Sequence, residues 1–245
     1  MSADQWTQAV RHQLGLGRLV PLGGPRDGCW LAESAARSAL RRAAQSLPGV
    51  RLEGLRIELA DPDGSYESAV PAPPSALPPG PLRIVAECAA ALDQPLPAAA
   101  SRLRAALNGA ASDGLGLVVD QVDLRVTALL DDGAQAQPGP VDAEVDVADS
   151  RQARDDSDEE RAGQAALSVP GVTRLTGSLG GLGRAVHIGE PPEAAAAALP
   201  RRHVRIELAV SGGRRVLDVA RDVRTAVTEA LADHPSVAVL VTAVR

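Results

Sequence analysis

The side chains able to carry out chemistry are few and widely spaced in this 245-residue sequence. All 25 basic residues are Arg, which excludes a lysine Schiff base and the lysine of a phosphate-binding P-loop. Cys29 and Cys88 stand apart, with no His or Asp motif beside either, and we expect Cys88 in the core and Cys29 near the surface. No two of the four His residues have the spacing of ligands on one helix. The sequence therefore predicts no catalytic residue, no metal ligand and no cofactor-binding residue.

Two glycine-containing segments, 14–24 and 177–183, suggest dinucleotide binding at first sight. That fingerprint requires a further Gly three residues after the first pair, where the helix packs against the strand. Val20 and Val186 occupy those positions. We interpret both segments as turns or loops.

Composition excludes several other classes of protein. Trp6, Trp30 and Tyr66 are the only aromatic residues, too few for a surface that stacks single-stranded nucleic acid. The start of the chain is polar, unlike a secretion signal, and no apolar run has the length that spans a bilayer. Two cysteines agree with a reducing compartment. We expect a cytoplasmic protein with no direct membrane span.

Charge divides the chain into modules. The net charge is -6, yet residues 131–162 alone hold 3 Arg and 11 acidic residues. Such a self-repelling stretch buries little apolar surface and is typical of a linker. The predicted organisation is an N-terminal extension with a short helix at 1–29, a first module at 30–130 with a Pro-rich loop at 71–81, an acidic linker at 131–160 and a second module at 161–245.

Short stretches of the first module recur in the second in the same order. The first two recur at a constant shift of 122 positions, and the third at a smaller one. The pairs are Ala43–Val50 with Ala165–Val172, Leu82–Ile84 with Val204–Ile206, and Val126–Ala128 with Val241–Ala243. A period this long indicates two tandem copies of one domain rather than a solenoid. We expect the two modules to fold independently.

Apolar periodicity predicts the elements of each copy. Leu31–Leu47 has helical spacing and ends at a Pro-Gly pair, and Val216–Leu231 has the same spacing. Leu55–Leu59 and Val204–Val210 alternate as strands with one wet face do. The order helix, strand, strand, helix, strand predicts an α+β fold made of two similar small modules, each with a small sheet packed on helices.

The closing strands of the two copies differ. In the first, Asp123 and Arg125 alternate with Leu124 and Val126, whereas residues 237–244 are apolar on nearly both faces. Two apolar faces require cover on both sides. One interpretation is a central strand under its own helices. The other is an interface strand, acting through Leu240 and Val244, with the other module or another chain.

The densest basic set lies in the second module. Its members are Arg201, Arg202, Arg205, Arg214, Arg215, Arg221 and Arg224. They are candidates for a surface that binds phosphates of nucleic acid or anionic lipid. Glu207, Asp218 and Asp222 interleave with them, as on an ordinary solvated surface. Docking of the acidic linker or of a protein partner is the third interpretation.

The second module resembles the alkaline shock (general stress, cell-envelope stress response) family of small bacterial α/β domains. The resemblance is carried by Val169–Val172, the strand Val204–Val210, the helix Val216–Leu231 and the strand Val237–Val244. The Lys-free, Arg- and Ala-rich usage is similar to that of actinobacterial members. The resemblance implies a non-enzymatic cytoplasmic protein that self-associates and binds a membrane-embedded protein partner at the inner face of the membrane. The alternative function is polyanion binding through the arginines of the second module, although the composition disfavours nucleic acid.

Overall fold

The predicted α+β class is confirmed by a computed structural model. The structure describes residues 15–64, 66–130, 158–177, 184–189 and 202–245. These contain four α-helices, and a π-helical turn, Ala110–Leu115, that continues the second of them. The helices are α1 Glu33–Gln45, α2 Leu96–Gly109, α3 Asp158–Leu167 and α4 Val216–Ala230.

Nine strands form two sheets in the described residues. The larger sheet has the order β1-β2-β9-β8-β6, with β7 also paired to β8, and the smaller has the order β3-β4-β5. The strands are β1 Leu19–Leu22, β2 Cys29–Ala32, β3 Val50–Leu59, β4 Leu82–Ala91, β5 Val119–Leu130, β6 Val172–Leu175, β7 Val186–Gly189, β8 His203–Val210 and β9 Ser236–Val244.

The predicted order of elements holds in the first half, as α1, β3, β4, α2 and β5. β3 is antiparallel to β4, and β4 is parallel to β5. In the second half, β6 and β7 both pair antiparallel with β8, and together they take the place that β3 holds beside β4. β8 is then parallel to β9, as β4 is to β5. The two halves thus share one strand arrangement.

The repeated Pro-Gly-Val stretches are equivalent in structure. Gly49 has φ +73° and Gly171 has φ +102°, a region that side chains disfavour, so glycine lets the chain leave each helix in the same way. The Gly49 carbonyl accepts from the Ala91 amide at 2.8 Å, and the Gly171 carbonyl accepts from the Ser211 amide at 2.8 Å. One sequence signal therefore ends α1 and α3 and starts β3 and β6.

The repeated Val-Thr-Ala stretches form the same β-bulge. The register with the neighbouring strand slips between Cys88 and Ala89 in one sheet and between Leu208 and Ala209 in the other. The extra residue is Thr127 in β5, and its counterpart in β9 is Thr242. Each Thr Oγ1 reaches the carbonyl opposite the bulge, at 3.2 Å for Cys88 and 3.3 Å for Leu208, and Thr127 Oγ1 shares its proton with Glu53 Oε2 at 2.7 Å. The hydroxyl thereby satisfies a carbonyl where the ladder is disrupted.

For the strands β4 and β8, which lie between the Pro-Gly-Val and Val-Thr-Ala stretches, the predicted repeat shift of 122 positions is wrong by two residues. Val50 pairs with Ala90 and Val172 pairs with Val210, so β4 and β8 correspond at a shift of 120, since 210 minus 90 is 120. Ile84, rather than Leu82, is therefore the counterpart of Val204. A slip of two residues keeps every side chain on the same face of a strand, so the alternation could not detect it.

The N-terminal hairpin joins the sheet of the second half, a pairing that no pattern in the sequence predicts. β2 pairs in parallel with β9, with Trp30 opposite Leu240. The boundary between 29 and 30 falls inside β2, and residues 1–14 of the extension that is predicted to contain a short helix lie outside the described residues. One cluster of buried apolar residues continues through both halves. We therefore now expect a single cooperative unfolding transition.

The predicted linker falls mainly on residues 131–157, which lie outside the described residues. Its last three residues, 158–160, form the acidic first turn of α3. Negative charge at this end of a helix complements the helix dipole. Among the described residues, no helix is both long and apolar enough to cross a bilayer.

Candidate interaction surfaces

Most arginines of the second module are engaged within the chain. Arg201 lies outside the described residues, and for five of the other six the guanidinium contacts a carboxylate or a carbonyl oxygen. The sixth, Arg205, lies half-buried on β8 beside His187 of β7. The basic residues are thus distributed among separate contacts rather than gathered on one free surface.

Arg202 joins the start of α3 to the turn after α4. Its Nε and Nη2 donate to both carboxylate oxygens of Asp233 at 2.7 Å each, and its Nη1 donates to Asp158 at 2.6 Å. The hydrogen bonds from Arg202 lower the pKa of both carboxyl groups below the ordinary value. Because Asp233 is exposed and Arg202 and Asp158 are partly exposed, solvent screens the interaction, and its main effect is to fix geometry.

Asp27 is the acceptor for two helix arginines. Arg221 donates to it from α4 at 2.7 and 3.1 Å, and the Gly24 amide donates at 2.7 Å. Burial would raise the pKa of Asp27, but these hydrogen bonds and the charges of Arg221 and Arg224 outweigh burial, so the pKa is lowered. Arg224 donates to the carbonyls of Arg26 and Asp27 at 2.6 and 3.0 Å. These arginines hold the β1–β2 turn on α4.

Arg214 and Arg215 lie directly before α4 and donate hydrogen bonds to neighbouring segments. Arg214 donates to the Pro170 carbonyl at 2.6 Å and to Asp222 at 3.0 Å. Arg215 donates to the Ser112 carbonyl of the π-helical turn at 3.2 Å. Both therefore connect α4 to neighbouring loops, and Arg215 connects it to the first half of the chain.

The two strand candidates, Leu240 and Val244, are core residues. Leu240 is completely buried and Val244 is 7% exposed. β9 has β2 on one side and β8 on the other, and both α4 and α1 pack against it. Arg42 of α1 donates to the Val244 carbonyl at 3.3 Å. The strand is thus central, and part of its cover comes from its own half and part from the other half of the chain.

The cysteines and histidines do not form a reactive site among the described residues. Cys88 is buried, which confirms a core thiol, but the surface position expected for Cys29 is wrong, because β2 lies between β1 and β9. Burial raises the pKa of Cys29 to about 12. Burial, and then the charge of Arg205, lowers the pKa of His187 and of His203. No group of three or more metal-ligating side chains occurs in the described ranges.

Sequence reasoning missed the surface formed by β5. This strand has 12 residues and lies at the edge of the smaller sheet, with only β4 beside it in the described structure. Val126 is 41% exposed and Leu129 is 53% exposed, and Val118 just before the strand is 46% exposed. Alternation predicted one wet face for this strand, but no local signal showed that its outer side would remain unpaired.

Comparison with known proteins assigns no function to these surfaces. No protein-family model matches the chain, and no curated protein matches it either.

Proposed function

We propose that this chain is a non-enzymatic interaction protein that self-associates and binds a membrane-embedded protein partner. The observation that carries the proposal is the long β5 edge with its exposed apolar residues. An unpaired strand edge is a template for main-chain hydrogen bonds to another chain, and neighbouring apolar side chains add affinity and selectivity. The membrane location of the partner is the part that the family resemblance implies.

The arginine contacts favour this proposal over polyanion binding. Affinity for phosphates depends on cations that can neutralise them and release counterions. Arg202 and Arg221 already hold carboxylates in two-point contacts, and Arg224 holds two carbonyls. Binding a polyanion through them would compete with these contacts.

The proposal is tested with the full chain on three surfaces at several salt concentrations. The surfaces are native membrane vesicles, the same vesicles after protease treatment of their outer face, and protein-free vesicles of anionic lipid. We expect retention on the first surface alone, with little dependence on salt. Retention on anionic lipid that salt abolishes would instead establish the polyanion alternative, and the loss of that retention in Arg214→Glu/Arg215→Glu would locate it. Retention on none of the three would overturn the membrane partner.

The partner itself is identified by cross-linking on the native vesicles. We expect one integral membrane protein to be captured by the parent and by the control variant Arg56→Asp, which changes an exposed arginine on β3. The same protein must capture this chain in the reciprocal experiment. Capture of unrelated proteins in each repeat would contradict a specific partner.

A further inference from the structure

We propose that the outer edge of β5 pairs with the β5 edge of a second copy of this chain, antiparallel, about a two-fold axis at Leu124. The inference rests on the self-association in the proposed function and identifies the surface responsible. The pairing residues are Gln121–Thr127 of β5, whose register with β4 is uninterrupted from Gln121 to Val126 and slips at Thr127.

The equivalent edge in the second half already accepts a strand. Counting back three residues from each bulge threonine makes Leu124 the counterpart of Val239. Val239 is paired with Cys29 of β2, and its amide donates to the Gly28 carbonyl at 3.1 Å. The backbone of Leu124 is therefore expected to point away from β4, toward the open side.

A second contact supports this orientation. The Val122 carbonyl accepts from Nε of Arg104, at 3.3 Å, and Arg104 belongs to α2 rather than to the sheet. Backbone polar groups alternate along a strand, so those of Val122, Leu124 and Val126 point to the same open side. These three residues can form hydrogen-bonded pairs with an antiparallel strand.

The side chains of β5 favour pairing with a second copy of the same strand, and in one register. With the axis at Leu124, Asp123 lies opposite Arg125 of the second copy, so two opposite-charge pairs form. Val122 lies opposite Val126 twice, and Leu124 lies opposite itself. Moving the axis to residue 123 would place Asp opposite Asp, and moving it to residue 125 would place Arg opposite Arg, both of which are unfavourable.

Other edges in the described structure are less suited to such pairing. The edge of β1 contacts a loop, since the Leu19 amide donates to the Ser75 carbonyl and the Leu77 amide donates to the Leu19 carbonyl. Arg18 donates to the Ile57 carbonyl of β3 at 2.8 Å. β6 and β7 have four residues each. Short or covered edges resist strand addition. The Arg18 contact on β3 is shorter and partly buried, whereas the Arg104 contact on the 12-residue β5 is 3.3 Å long and exposed.

The test is the mass of the purified full chain in solution over a concentration series. We expect the parent to be dimeric. Arg125→Asp or Asp123→Arg alone should raise the dimer dissociation constant about tenfold or more, because each substitution places like charges opposite at two positions. An equimolar mixture of the two variants should form a heterodimer, because opposite charges are then restored. The double variant Asp123→Arg/Arg125→Asp should also dimerise.

Two controls separate charge pairing from folding. Asp123 also bonds Arg83 within the chain at 2.5 Å, so thermal unfolding of every variant is measured at a concentration where all are monomeric. Arg56→Asp on β3 makes the same change on the opposite edge of the sheet and should leave the parent dimer intact.

Several outcomes overturn the inference. The inference is wrong if the parent is monomeric at every concentration of the series. It is also wrong if both single variants dimerise as strongly as the parent, in which case the chain self-associates through another surface. Failure of the mixture to restore the dimer rejects the antiparallel register. If dimerisation behaves as expected but no membrane protein is captured, the inference stands and the proposed membrane partner falls.

Discussion

β5 and β9 are equivalent strands with the same threonine bulge, yet they have opposite surroundings. β9 has a parallel neighbour on each side, and six of its nine residues are apolar and buried. β5 has one neighbour in the described ranges and exposed residues along most of its length. Among the described residues the N-terminal hairpin pairs with β9, and no strand holds the equivalent place beside β5. A repeated unit thus serves as core in one half and as an open surface in the other.

The largest expected effect comes from removing the anchor of that hairpin. Trp30 is 1% exposed and lies opposite Leu240. We expect Trp30→Ala to lower the free energy of unfolding by about 3 to 5 kcal/mol, because it leaves a large cavity at the joint between the halves. Denaturant unfolding measures this, and Trp30→Phe, expected to cost less, provides a folded variant if the first is too unstable. A cost below about 1 kcal/mol would mean that the hairpin does not support β9.

A matched pair of leucines compares the two strands directly. Leu240→Ala should cost about 2 to 5 kcal/mol, since the side chain is fully buried. Leu129→Ala, on a residue 53% exposed, should change stability by less than about 0.5 kcal/mol. Thermal unfolding, with one transition for each protein, gives both values. Equal costs, or two separate transitions, would contradict the contrast between the strands or the shared core.

The pH dependence of stability tests whether the charged Asp27 carboxylate holds the β1–β2 hairpin on α4. Its lowered pKa means that the charged form stabilises the fold above the unfolded pKa of about 3.8, and that this stability is lost as pH falls through the lower folded value. Asp27→Asn should cost about 1 to 3 kcal/mol at neutral pH and less in acid. Asp218→Asn, on a half-exposed side chain, is the control and should cost less than about 0.5 kcal/mol. A cost for Asp27→Asn that does not change with pH would reject the charged contact.

The smallest effect compares the bulge threonines. Thr242 Oγ1 lies 2.8 Å from Thr176 Oγ1 in the buried sheet, so Thr242→Val leaves a buried hydroxyl without this partner and should cost about 1 to 2 kcal/mol. Thr127→Val should cost less than about 0.5 kcal/mol, because at this exposed position water can replace the hydroxyl as the partner of Glu53 and of the Cys88 carbonyl. Chemical unfolding of the two variants side by side gives the difference. The reverse order would show that hydroxyl burial is not what separates the two bulges.

Local patterns in the sequence determined the elements of this protein. Apolar spacing predicted α4, alternation predicted β3 and β8, and the Pro-Gly pairs marked the ends of α1 and α3. These signals are local, because helix and strand periodicity and the positive φ of glycine depend only on neighbouring residues. The internal repeat was visible for the same reason.

The two apolar faces of β9 predicted a covered strand, and the tertiary structure decided which elements cover it. The parallel pairing of β2 with β9 joins residues about 210 positions apart, and strand pairing over such a distance has no signature in either segment. It buried Cys29 and made Leu240 a central residue, whereas in the described part of the chain no strand lies on the outer side of β5. Asp123 and Arg125 were readable as a wet face, but only the position of β5 at the edge of its sheet makes them candidates for recognition, because a strand can add only where backbone groups remain unpaired.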